Sequence, residues 1–255
     1  MKRYLFVLWL AALANIPPAS AADPRRSGFE FMGPSTQAMQ KDDALNPGML
    51  WVKDGEAFWQ QTAGQSGKAC VTCHASAASS MRGVSARYPA FDELLKRPIA
   101  LSQRINQCRQ KYQQAEPLRA ESQELLSLES YVAHQSRGLP LSPPDDARLE
   151  PFRQQGQLRF MQRMGQLNLS CAQCHDSNAG GRLGSNLIPQ AHPTGYPVYR
   201  LEWQTMGSLQ RRLRNCMTGV RAERFAYGAE ELVELELYLA ARAGGMPLEA
   251  PSVRP

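Results

Sequence analysis

CVTCH (Cys70–His74) and CAQCH (Cys171–His175) are two copies of one pattern, set 101 residues apart in a chain of 255. Two cysteines separated by two residues and followed at once by a histidine form the attachment signature of c-type haem. The two thiols reach the vinyl groups on one macrocycle, and the adjacent histidine supplies the proximal nitrogen to iron. A four-thiolate zinc site would leave His74 and His175 without a role, and would need a gap longer than zinc ribbons use. A thioredoxin-like redox pair would need a βαβ context, which the flanking residues do not supply. The spacing therefore predicts two covalently bound haems.

The repeat extends outward from these motifs. ELLSLESYVAHQSRGLPL (Glu124–Leu141) aligns with ELVELELYLAARAGGMPL (Glu231–Leu248) at a shift of 107, with nine of eighteen positions identical. Between the markers each half carries one further cysteine, in INQC ending at Cys108 and RNC ending at Cys216. All six cysteines thus belong to one pattern used twice, which reads as a duplicated domain. Helices are expected at Gly55–Gln61 and Gly156–Met164 ahead of the CxxCH segments. Others are expected at Ser102–Gln113 and Ser208–Thr218, carrying the lone cysteines, and at Glu121–His134 and Ala229–Ala243, each stopped by a Gly and a Pro. No strand series is expected. The fold class predicted is mostly α: two tandem cytochrome c-like domains, residues 55–145 and 146–255, joined through a Pro/Asp-rich linker at Leu141–Asp146. An irregular arm over residues 22–54 precedes them.

The N-terminus reads as a secretory signal over residues 1–21. Lys2 and Arg3 precede the apolar run Tyr4–Ala14, then Pro17-Pro18 and a small-residue cleavage site ending at Ala21. The apolar run is short of the roughly 20 residues that span a bilayer. Export, and a periplasmic location with no membrane span after cleavage, are expected. The formal charge of +6 becomes +4 without Lys2 and Arg3, with no Lys/Arg block, so nucleic acid is not a suggested partner.

The sixth iron ligand decides what the haems do. Met81, Met161, Met164, Met206 and Met217 are available for the His/Met arrangement of electron carriers, but none recurs in both halves. Cys108 and Cys216 do recur, one per haem, so thiolate ligation by both is expected, with an unusually low potential. The other readings of these two are a disulfide between them, or inert buried thiols. His134 and His192 read as surface or structural residues. Cys216 lies among Arg211, Arg212, Arg214, Arg221 and Arg224. On a helix Arg212, four residues earlier, shares its face, where a guanidinium would lower the thiol pKa and hold an anion; the other reading of these arginines is a solvated basic helix face.

LNPGMLWVKDGEAFW (Leu45–Trp59), CVTCH, INQC, CAQCH and RRLRNCMTGVRAE (Arg211–Glu223) together resemble the SoxA family of thiosulfate-oxidising cytochromes, in its dihaem form, over the whole mature chain. The resemblance implies axial pairs His74/Cys108 and His175/Cys216, with Cys70, Cys73, Cys171 and Cys174 attaching the haems. It implies that Cys216 is catalytic and carries a persulfide, and that Arg212 binds substrate. It further implies a heterodimer with a small monohaem SoxX-like cytochrome, acting as an L-cysteine S-thiosulfotransferase that joins thiosulfate to the cysteine of a SoxYZ-like carrier. The competing functions are a periplasmic dihaem electron carrier and a tetrathionate-forming thiosulfate dehydrogenase.

Overall fold

The computed structural model describes residues 23–255; the expected signal peptide lies outside the described residues. Among the described residues ten α-helices carry the fold: α1 (Pro34–Lys41), α2 (Gly48–Gln60), α3 (Cys70–His74), α4 (Ala77–Ser80), α5 (Leu101–Cys108), α6 (Gln123–His134), α7 (Glu150–Met161), α8 (Cys171–His175), α9 (Leu209–Gly219) and α10 (Glu230–Arg242). In the first half α2 packs on α6, and in the second α7 packs on α10; these are the most extensive helix contacts in the molecule. Each crossing turns on one glycine. A Cβ at Gly55 would lie 2.1 Å from the Ser127 carbonyl oxygen, and one at Gly156 would lie 2.0 Å from that of Glu234. A mid-helix glycine costs about 1 kcal/mol in helix propensity, and here it lets two backbones touch. The glycines expected to begin these helices therefore sit inside them: α2 starts at Gly48 and α7 at Glu150, with Pro151 in its first turn.

The duplication shows in the cores. Trp59 meets Tyr131 at a ring separation of 5.8 Å, and the matching residues of the second half, Phe160 and Tyr238, meet at 5.4 Å. Before each CxxCH helix the chain closes the same antiparallel bridge, Ala63 with Lys68 and Met164 with Leu169. Ser122 caps α6 through the Leu125 N–H, and Ser208 caps α9 through the Arg211 N–H. The Gly-x-Pro-Leu signals that end α6 and α10 pair with each other. Gly138 N–H donates to the Leu248 carbonyl and Leu141 N–H to that of Met246, both at 2.8 Å. A shared core of Ala133, Leu141, Ala243, Met246 and Leu248 underlies this seam.

No long strand series appears among the described residues, as expected of a mostly α chain, but short strands that were not foreseen do form. Seven short strands among the described residues form three small sheets: β1 (Ala90–Asp92) with β2 (Arg97–Ile99), β3 (Arg182–Leu183) with β4 (Asn186–Leu187), and the three-stranded β6-β5-β7. In the last, β5 (Val198–Arg200) pairs antiparallel with β6 (Thr205–Gly207) and parallel with β7 (Ser252–Arg254). None exceeds three residues, so none offers the alternation that reveals a strand.

The arm is ordered by its partners. Arg25 donates to the carbonyls of Arg242 and Gly244 at 3.0 and 2.8 Å, and Asn46 Nδ2 donates to the Pro251 carbonyl at 3.0 Å. It contains α1 and lies against the C-terminal tail of the second half. No helix among the described residues is long and apolar enough to cross a membrane.

Candidate haem and sulfur site

No two of the six cysteines are joined in a disulfide, so the Cys108–Cys216 disulfide reading fails. Among the described residues no group of three or more His, Cys, Asp or Glu is placed to hold a metal ion, so the two Cys-x-x-Cys pairs do not converge on one zinc site. Each lone cysteine stays with the CxxCH of its own half: Cys108 is close enough to Cys70 and Cys73 for their charges to interact, as is Cys216 to Cys171 and His175.

In the first half Trp59 lies over His74 at a ring separation of 5.7 Å and donates its indole N–H to the Ala75 carbonyl at 3.1 Å. Cys108 ends α5, where one π-helical turn (Arg109–Gln113) follows. Burial pushes its thiol up, opposed by Arg104. That guanidinium is already engaged by the buried Asp92 at 3.0 Å. Met81 packs into the core beside Cys70 and Trp59.

In the second half His175 Nδ1–H donates to the Pro189 carbonyl at 2.7 Å. This bond fixes the tautomer and leaves Nε2 bare, as iron ligation requires. His175 and Cys216 line one cavity together with Leu209, Leu213, Val198 and Leu239. An apolar wall, a bare imidazole nitrogen, an opposed thiol and a thiol pair one helical turn away form a donor set that fits a c-type haem. Burial raises the Cys216 thiol, but the His175 ring beside it and the charges of Arg212 and Arg200 outweigh it, so the net shift is downward. Cys171 has no such company, and burial pushes it up to about 11. Met206 and Met217 are buried in apolar clusters.

The arginine group divides. Arg212 faces the cavity beside Cys216. Arg211 stacks on Trp203 at 4.2 Å and Arg214 on Tyr227 at 4.3 Å, while Arg221 and Arg224 are exposed. A pocket formed by Arg211, Arg212 and Arg214 together is therefore not what the chain builds. The reason is angular: at about 100° per residue, Arg212 at i−4 is the one of these three arginines on the face of Cys216, which it shares with Leu209 and Leu213.

The cavity also has walls that no local motif announced. Arg200 comes from β5, and Gly28, Phe31 and Met32 come from the arm. His134 is half-buried at the end of α6, with burial lowering its pKa. His192 lines the cavity, and its Nδ1–H donates to the Arg26 carbonyl at 2.8 Å, tying the arm to the site.

Comparison with known proteins agrees with this geometry. A family model described as SoxA/TsdA, cytochrome c domain, matches residues 54–141 and 155–248. The L-cysteine S-thiosulfotransferase subunit SoxA of Pseudaminobacter salicylatoxidans is 36% identical over 94% of this chain and 85% of its own length. That of Rhodovulum sulfidophilum is 34% identical over 92% and 82%. The crystal structure of SoxXA from P. pantotrophus superposes with a TM-score of 0.87 at 32% identity, covering 91% of this chain and 87% of that one. The chain belongs to the SoxA/TsdA cytochrome c family, among its SoxA members.

Proposed function

We propose that the Cys216 cavity joins thiosulfate oxidatively to the cysteine of a SoxYZ-like carrier protein, as the SoxA subunit of an L-cysteine S-thiosulfotransferase. The observation that carries this reading is the meeting of His175, Cys216 and Arg212 at one cavity, which no electron carrier needs. A thiol and a thiosulfate dianion yield a sulfur–sulfur bond, one proton and two electrons, so an oxidant must stand at the reacting sulfur. Bound haem supplies that oxidant, one electron at a time.

Each residue has a defined part. Cys70, Cys73, His74 and Cys108 would hold the first haem, and Cys171, Cys174, His175 and Cys216 the second, with the paired cysteines of each CxxCH as the attachment points. The lowered pKa of Cys216 suits a sulfur that reacts as an anion. Arg212 draws the dianionic substrate into a site with apolar walls, where its charge is poorly screened. The persulfide expected on Cys216 would extend the reactive sulfur further into the cavity. A small monohaem SoxX-like cytochrome is the partner subunit, as the SoxXA likeness supports. The first domain spans residues 55–145 and the second 146–255, exported to the periplasm after cleavage at Ala21.

The test compares wild type with Cys216→Ala, each purified with its monohaem partner, for carrier-dependent thiosulfate consumption. Turnover in the variant should fall at least a thousandfold. Unchanged turnover overturns the assignment, and thiosulfate consumption without any carrier protein would point to tetrathionate formation instead. Electron paramagnetic resonance of the oxidised protein should show thiolate-ligated low-spin iron at both haems.

A further inference from the structure

Arg200 closes β5 and is only 8% exposed, although it carries a full charge. Its Nη2 donates to Glu202 at 2.8 Å and its guanidinium lies 5.0 Å from the Trp203 ring, but Nε is buried with no hydrogen-bond partner among the described residues. Glu202 is 59% exposed, so water screens most of its compensation. The neighbouring strand differs. Arg254, beside Arg200 in the parallel register, is held by Glu249 at 2.7 Å, both of them well buried. Arg212 has no acidic partner among the described residues.

Arg200 and Arg212 line the same cavity as Cys216. Each feels the thiol's charge, and burial together with the Arg212 charge lowers the proton affinity of Arg200. Two guanidiniums thus line one partly dehydrated pocket, and the carboxylate that Arg200 holds is exposed to water. Such a pair is complementary to a compact dianion with several oxygens, because each fork engages a separate oxygen pair. Thiosulfate has this form at its sulfonate end.

We propose that Arg200 is a second substrate-binding residue of this site: with Arg212 it grips the sulfonate oxygens of thiosulfate and leaves the outer sulfur facing Cys216. This rests on reading the cavity as the thiosulfate site. It also accounts for the position of Arg200 on a strand paired on both edges, by β6 and β7, since a grip on one end of the substrate sets the position of the other.

The experiment uses the haem-loaded complex with its monohaem partner. Thiosulfate is titrated without carrier while the haem absorption spectrum is followed, and steady-state rates are measured with carrier. Arg200→Gln should raise the half-saturating thiosulfate concentration about tenfold in both measurements, with kcat changed less and with haem content and potentials kept. Arg200→Lys should recover part of the loss. Glu202→Gln, an exposed change that folding tolerates, should tighten binding about twofold by freeing the Arg200 charge. Half-saturation unchanged in Arg200→Gln overturns the inference. So does a shifted potential or lost haem with unchanged half-saturation, because Arg200 would then serve a haem carboxylate. If Arg200→Gln does not accumulate, binding by Glu202→Gln that is no tighter than wild type overturns it. Wild type that neither binds nor consumes thiosulfate would overturn the parent reading as well, whereas wild-type activity with an indifferent Arg200→Gln removes this inference alone.

Discussion

At the residue scale the two lone cysteines are unequal despite their common origin. Burial dominates at Cys108 and raises its thiol, whereas cations and His175 prevail at Cys216. On the proposed ligation, replacing Cys108 by Met should preserve thiosulfate turnover while raising the first haem's potential by on the order of 100 mV, since a thioether stabilises ferric iron less than a thiolate does; redox titration of the variant checks this. The arginines separate in the same way. Arg212→Ala should raise the KM for thiosulfate about tenfold or more, with the haem spectrum intact. Arg211→Ala and Arg214→Ala, which lose aromatic stacking and no cavity contact, should leave KM within about twofold.

At the scale of elements the paired helices repeat one device, the glycine that lets α2 touch α6 and α7 touch α10. A side chain at Gly156 would meet the Glu234 carbonyl and the Tyr238 Cβ, backbone and root atoms that cannot swing aside. Gly156→Val should cost about 3 kcal/mol or more in guanidinium unfolding followed by haem absorbance. Gly219→Ala at the end of α9, where no atom lies within 4 Å of the new methyl, should change stability by less than about 1 kcal/mol. The helices themselves were legible from apolar spacing and from the Gly and Pro that stop α6 and α10. Their N-terminal limits at α2 and α7 were not, because a glycine reads as a boundary locally and as a crossing point only when its partner helix is known.

At the scale of the whole molecule the duplication places two equivalent carboxylates, Glu129 and Glu236, on a cavity between the halves, with Glu121 beside them. Burial raises Glu129 to about 8 and Glu236 to about 7, each pushed further by Glu121; Glu121 is itself raised by burial. Below about pH 4.5 the folded and unfolded chains are both protonated at these positions. As pH rises from there toward 8 the unfolded chain releases protons that the folded chain keeps, so these groups lower stability through that window, and the loss levels off above it. The double change Glu129→Gln with Glu236→Gln should flatten this decline and stabilise the protein at pH 8 by on the order of 2 kcal/mol. Thermal unfolding between pH 5 and 8 provides the check.

The sequence by itself determined that there are two CxxCH sites in a duplicated helical chain, that each half owns one further cysteine, and that Arg212 shares a helix face with Cys216. These are properties of short spacings, which covalent geometry and helical pitch translate directly into position. Only the tertiary structure decided which cations surround Cys216, because Arg200 reaches the cavity from a three-residue strand and its neighbours Arg211 and Arg214 turn away to aromatic rings. The same holds for the arm, whose Phe31 and Met32 complete the cavity wall from far along the chain. Contacts of that kind depend on the packing of whole elements, and no local run of residues encodes them.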